Sequence, residues 1–186
     1  MRPTAEQDAT RARVWLALIN VLGGIAVLGS YVVGIASHPE TTGQVWGGVP
    51  ESLRPVYTIS MFTAAAGYFL FTPYVFFSLS PPDVRVFGRY SYAIFPALYA
   101  CILVPSAVWM PLTFEMIESP GPVLWASIRT VLFLVGLGSV GLVAAIVSAQ
   151  PQGSSLARRL AILGALLFTW QTAVLDALVW TAYFPF

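Results

Sequence analysis

The sequence predicts an all-α integral membrane bundle of five transmembrane helices, and three observations carry that prediction. Hydrophobic residues make up 58% of the chain and charged residues only 9%, with a mean hydropathy of +0.78, well outside the composition of a soluble domain. Five apolar stretches, each long enough for the roughly 20 residues that a bilayer core requires, alternate with polar connections. The arginines then fall on alternate connections, as a chain crossing a membrane five times would place them. With 186 residues there is room for the five spans and no separate soluble domain, so residues 1–186 are expected to form one transmembrane domain.

Residues 1–13 are polar, with Arg2, Arg11 and Arg13 set against Glu6 and Asp8, and read as a short tail. Span one runs over about 14–36, and its glycines Gly23, Gly24, Gly29 and Gly34 would let another helix approach closely. A positive start and an apolar run also resemble a signal peptide with a cleavage point at Ala36-Ser37, but the run is too long for a signal h-region and is expected to remain as a span. Residues 37–55, rich in Gly, Pro and Thr and containing Trp46, form the longest connection. Span two covers about 57–79, with a small-residue patch from Ala64 to Gly67 and a kink expected at Pro73. Pro81-Pro82-Asp83 ends it.

Arg85 and Arg89 precede span three, about 90–114, where Pro96, Pro105 and Pro111 predict a bent or broken helix. Glu115, Glu118 and the Pro120-Gly121-Pro122 turn lead to span four, about 123–148, which carries Gly136, Gly138 and Gly141. A turn from Gln150 to Ser155 leads to span five, about 156–184, which begins with Arg158-Arg159. Arg2, Arg11, Arg13, Arg85, Arg89, Arg158 and Arg159 thereby share one side and Arg54 alone takes the other. The positive-inside rule places the N-terminus in the cytoplasm and the C-terminus outside, in a plasma membrane of the bacterial inner-membrane type.

Several function classes are disfavoured. A net charge of +1 with dispersed arginines offers no nucleic-acid surface. Cys101 and His38 each stand alone, so neither a disulfide framework nor a multi-histidine metal centre can be assembled; Cys101 reads as packing and His38 as a loop residue. No nucleophile motif or phosphate loop appears, so enzymatic chemistry ranks last, and no cofactor or metal is implied.

Arg129 and Asp176 are the charges that the topology places within spans. A charge at a helix centre costs about 2.5–3.5 kcal/mol on insertion scales, so it is expected to face a partner or a cavity. Arg129 lies about 12 Å from the start of span four and Asp176 about 15 Å from the end of span five, at the helical rise of 1.5 Å per residue. Both distances run from the outer face, and an ion pair between neighbouring helices is the economical expectation. Thr169, Thr172, Asp176, Trp180 and Tyr183 recur three or four apart and so share one α-helical face. Tyr31, Trp46, Tyr57, Ser60, Met61, Ser106, Trp109 and Trp125 could complete an aromatic pocket in the outer half, with Trp170 adding aromatic surface.

Span three, reading Leu98-Tyr99 through Leu103, Pro105-Ser106, Trp109 and Pro111 to Phe114, resembles the third helix of the tryptophan-rich sensory protein or translocator protein (TspO/MBR) family. Span five, with Leu156-Ala157-Arg158-Arg159-Leu160 before it and Thr172, Leu175, Asp176 and Trp180 within it, resembles that family's last helix and its Thr-x-x-Leu-Asn-x-x-x-Trp pattern. Pro105-Ser106 replaces Leu-Asn, Asp176 replaces Asn, and Arg129 falls near an acidic family position, so the chain resembles a divergent relative. The resemblance implies a five-helix bundle, often dimeric, that binds tetrapyrroles, sterol-like lipids or other aromatic molecules beneath its first loop, and in some members a minor porphyrin breakdown.

The expected function is therefore binding of a hydrophobic small molecule, as sensor or carrier, in an outer-half pocket that also borders membrane lipid. Its candidate ligand-binding residues are Trp46, Tyr57, Ser106, Trp109, Trp125, Arg129, Thr172, Asp176 and Trp180. The alternative is a small proton- or ion-coupled transporter that switches the Arg129/Asp176 pair.

Overall fold

A computed structural model describes residues 5–152 and 155–184. Arg2 of the arginine set and residues 153–154 of the turn before span five lie outside the described residues. Among the described residues the fold is helical, and five helices are long and apolar enough to cross a membrane. They are α1 (Ala5–Ser37), α2 (Arg54–Pro73, continuing as a π-helical turn Tyr74–Ser78), α3 (Ile94–Glu118), α4 (Pro122–Ser148) and α5 (Ser155–Thr169). The fifth span continues past α5 as a π-helix, Trp170–Trp180, and a last α turn, Thr181–Tyr183.

The structure differs from the sequence expectation at the start of α1, at both ends of α3 and in the continuity of α3. The expected tail is helical from Ala5, because nothing between Ala5 and Arg13 breaks the helix and Glu6 and Asp8 suit its first turn. Residues 90–93 belong to the preceding turn. Span three is one continuous α-helix rather than a broken one: Pro96 occupies the first turn, where a missing N–H costs nothing, and Pro105 and Pro111 are carried inside. At Pro73, where a kink is expected, the α pattern gives way to π immediately after the proline.

Helix α1 packs on α3, α3 on α4, α4 on the fifth span, and the fifth span on α2. Apolar tails compete with apolar side chains in a bilayer, so close backbone approach and interhelical hydrogen bonds must hold such a bundle together. Both are present. Gly67 and Gly164 set α2 against α5 so closely that a Cβ on Gly164 would lie 2.5 Å from the Gly67 carbonyl oxygen. Gly136 similarly lets α4 meet Ala173 of the fifth span.

One large core fills the arginine-rich half, where Tyr68, Phe71, Tyr99 and Phe168 form an aromatic nest. Tyr68 donates its hydroxyl to Asn20 Oδ1 of α1, and Thr72 and Tyr99 hydroxyls meet at 3.0 Å, so polar contacts join α1, α2 and α3. Tyr68→Phe is expected to cost about 0.6–1.7 kcal/mol, the range measured for hydrogen bonds between membrane helices, read as a lower midpoint in SDS-titrated unfolding. An unchanged midpoint would remove the bond from the account of stability.

The connections gather at two ends. At one, Arg13 reaches the Leu79 carbonyl, the backbones of Arg85 and Gln150 exchange hydrogen bonds at 2.7 and 2.9 Å, and Arg158 donates to Val147. Phe87 and Gly88 both take positive φ, 53° and 70°, to turn this connection back on itself. Tyr92, buried there, donates to the Val75 carbonyl; burial pushes its phenol up to about 12 against the opposing pull of Arg13, so it stays a neutral donor. At the other end the α1–α2 connection lies against the end of the fifth span: Gly48 N–H donates to the Tyr183 carbonyl and Trp180 Nε1 to Val45.

Candidate functional site

The second, smaller core lies under the α1–α2 connection and is built around Trp180. This ring is 4% exposed and meets Trp109 of α3 at 5.7 Å, Trp125 of α4 at 6.3 Å and Phe184 at 4.6 Å between ring centroids. Trp109 in turn packs on Tyr31 of α1 at 5.8 Å, and Trp46 stands edge-on to Tyr57 of α2 at 6.1 Å. All five spans and the first connection thus contribute to one aromatic shell. Such tilted and edge-on pairs add about 0.5–1.5 kcal/mol each beyond area burial.

Asp176 sits one turn before Trp180 on the fifth span. Its Oδ1 accepts a 2.7 Å hydrogen bond from Gln171 Nε2, and the Tyr31 and Tyr57 hydroxyls are both within electrostatic range of its carboxylate. Residues five apart would point 140° away from each other on an α-helix, but a π-helix bonds i to i+5 and stacks them on successive turns. The π register is therefore what brings Gln171 to Asp176. Tyr57 also donates its hydroxyl to the Leu175 carbonyl at 2.9 Å, which ties α2 to the π-helical segment beside the carboxylate.

The oxygen end of the Gln171 amide is not paired: among the described residues Gln171 Oε1 is buried without a hydrogen-bond partner, as are Ser60 Oγ on α2 and Trp109 Nε1 on α3. A buried polar atom left unpaired costs about 1–3 kcal/mol. On the α4 side, Thr172 Oγ1 lies 2.9 Å from Ser139 Oγ and 3.0 Å from the Phe168 carbonyl, a closed polar link between the last two spans.

The expected Arg129–Asp176 pair does not form. Among the described residues the ion pairs are His38–Glu118 at 3.1 Å and Arg54–Glu51 at 3.7 Å, and Arg129 is exposed on the outer surface of α4. Equal depth was not enough, because Arg129 follows the buried Ile128 and precedes the buried Leu132, which take the face of α4 that turns inward. Of the other candidate residues, Trp46, Tyr57, Trp109, Trp125, Asp176 and Trp180 come together as described, and Thr172 borders them. Ser106 donates to the Ile102 carbonyl of its own helix and joins none of these contacts. Met61, Trp170 and Tyr183 are exposed at 44%, 51% and 41%, so they supply no interior surface.

Gln171, Ser139 and Phe184 are the participants that sequence reasoning missed. A glutamine within an apolar span is a visible signal, but α-helical spacing sets positions 171 and 176 about 140° apart and so does not pair them. His38, read as a loop residue, also has a larger part. Its Nδ1 lies 2.9 Å from the Gly34 carbonyl, its Nε2 faces Glu118, and its ring stacks on Phe114 at 4.3 Å, so it closes the junction between α1 and α3 beside the first connection.

Comparison with protein-family models, with curated proteins and with solved structures finds no match. Function must be argued from the site itself.

Proposed function

We propose that this protein resides in a plasma membrane, N-terminus in the cytoplasm, and binds a flat, largely apolar small molecule beneath its first connection. The observation that carries the reading is the setting of Asp176. A half-buried acid of the fifth span accepts from Gln171, on a segment that Tyr57 ties to α2, one turn before the Trp180 ring that meets Trp109 and Trp125. Intramembrane acids mark ligand or ion sites far more often than architecture, given what they cost. Among the described residues no cation stands against Asp176, so a ligand with a donor edge, an amine or amidine, complements it better than one with a carboxylate.

The seven-to-one division of arginines between the two sides supports the orientation. The likeness of α3 and the fifth span to the TspO/MBR family supports the reading of a ligand site here, since Trp109, Thr172 and Trp180, which carry it, fall in or beside one cluster, with Asp176 at the position where the family has Asn. The rings pack against one another under the first connection, and a ligand would enter as that connection lifts from the bundle end, the behaviour of a sensor or carrier with an opening lid. Coupled transport by switching an Arg129/Asp176 pair draws no support from a geometry in which the two do not meet.

Quenching of tryptophan fluorescence in detergent-solubilised protein tests the reading with three probes: 2-naphthylmethylamine, 2-naphthoic acid and protoporphyrin IX. The amine is expected to bind saturably and more tightly than the acid. Asp176→Asn is expected to weaken the amine by about 1.5–3 kcal/mol, roughly 10- to 100-fold in Kd, the worth of a charge-assisted hydrogen bond. Absence of saturable quenching by every probe, or tighter binding of the acid, would sink the proposal.

A further inference from the structure

Arg129 belongs to a second feature. It lies about 11 Å into α4 at 1.5 Å per residue, on a face that no other helix of the chain covers. Ala126, Arg129, Thr130, Phe133, Leu134 and Leu137 line an open groove of about 400 Å³ along this face. The hydroxyl of Thr130 is bonded back to the Ala126 carbonyl, which leaves the guanidinium as the charged donor of the groove. Its walls become purely apolar over the next two turns, toward the middle of the bilayer. Among the described residues no acid is paired with Arg129.

We infer that this groove binds an anionic phospholipid from the leaflet on the side of the first connection. A guanidinium presents a planar fork that fits two phosphate oxygens, and its long stem lets it reach outward to the headgroup level while its Cα stays deeper. An occupant that is anionic at Arg129 and apolar beside Phe133, Leu134 and Leu137 has the orientation that a phospholipid already has in that leaflet. A second copy of this chain fits less well, because a two-fold contact across α4 would set Arg129 against its own counterpart. The inference depends on membrane placement but not on the Asp176 ligand, so each can fail alone.

Native mass spectrometry of the full chain in neutral detergent, with dioleoylphosphatidylglycerol and dioleoylphosphatidylcholine in competition, tests the inference. The wild type is expected to retain the anionic lipid at least about tenfold over the zwitterionic one, since both headgroups offer the phosphate but in phosphatidylcholine its charge is cancelled by the neighbouring quaternary ammonium, which repels the guanidinium. Arg129→Gln is expected to abolish that preference and Arg129→Lys to keep part of it, with phosphatidylcholine retention unchanged in all three as the control for folding. Equal preference in wild type and Arg129→Gln would overturn the inference. So would displacement of the lipid by glycerol 1-phosphate alone, which would make the site one for a soluble anion, or a lipid-independent dimer that Arg129→Gln disperses.

Discussion

Trp180→Ala is expected to lower the stability of the bundle by about 3 kcal/mol and to release the first connection from the membrane-end surface. The magnitude is the lower end of the 3–5 kcal/mol found for large aromatic truncations in protein cores. The lower end applies because a membrane protein's unfolded reference state keeps its side chains out of water, leaving packing as the chief loss. Three ring contacts disappear together with the hydrogen bond from Trp180 Nε1 to Val45, 3.0 Å long and the side-chain anchor of the connection on the fifth span. SDS-titrated unfolding measures the first effect, and limited proteolysis within residues 38–53 the second. Trp180→Phe, which keeps a ring and loses the N–H, separates them: it should retain most of the stability while proteolysis still accelerates. If Trp180→Ala cleaves no faster than wild type, the connection is held by its backbone bond at Gly48 alone.

Gly164→Val is expected to be nearly as damaging, by about 2–3 kcal/mol, through overpacking rather than loss. The added Cβ would lie 2.5 Å from the Gly67 carbonyl oxygen and 2.9 Å from Leu70 Cβ. Helix backbone cannot yield locally as a flexible side-chain end can, so α2 and α5 must separate along their length. That separation forfeits the dispersion contacts of the whole crossing, which is the main attraction between helices in lipid. Gly24→Val on α1 is the control, since nothing lies within 4 Å of its added Cβ and no change in the unfolding midpoint is expected. Equal effects of the two substitutions would show that the cost is helix propensity and not the crossing.

The five helices were legible because the length and apolar composition that a bilayer demands constrain a helix more strictly than any soluble element is constrained. Boundaries shifted at the start of α1, by nine residues, and by about a turn at both ends of α3. Part of the site was legible for a similar reason. Tryptophan, tyrosine and aspartate inside apolar runs are costly or bulky enough to announce themselves, and Trp46, Tyr57, Trp109, Trp125, Asp176 and Trp180 do assemble under the first connection. Arg129 announced itself equally and went the other way. Depth along a helix is set by sequence position, but azimuth is set by which face the neighbours bury, and on α4 that face belongs to Ile128, Leu132 and the residues in register with them.

Composition and apolar length alone specified that five long helices would form, where they would lie to within about a turn except at the start of α1, and which rare polar residues they would carry. Tertiary structure alone decided who meets whom. It chose Gln171 over Arg129 as the partner of Asp176, because packing of the fifth span against α2 and α4 accompanies a π register that α-helical counting cannot anticipate. It also turned Arg129 to the outer face of α4, which spares the guanidinium the desolvation that burial beside a single carboxylate would impose.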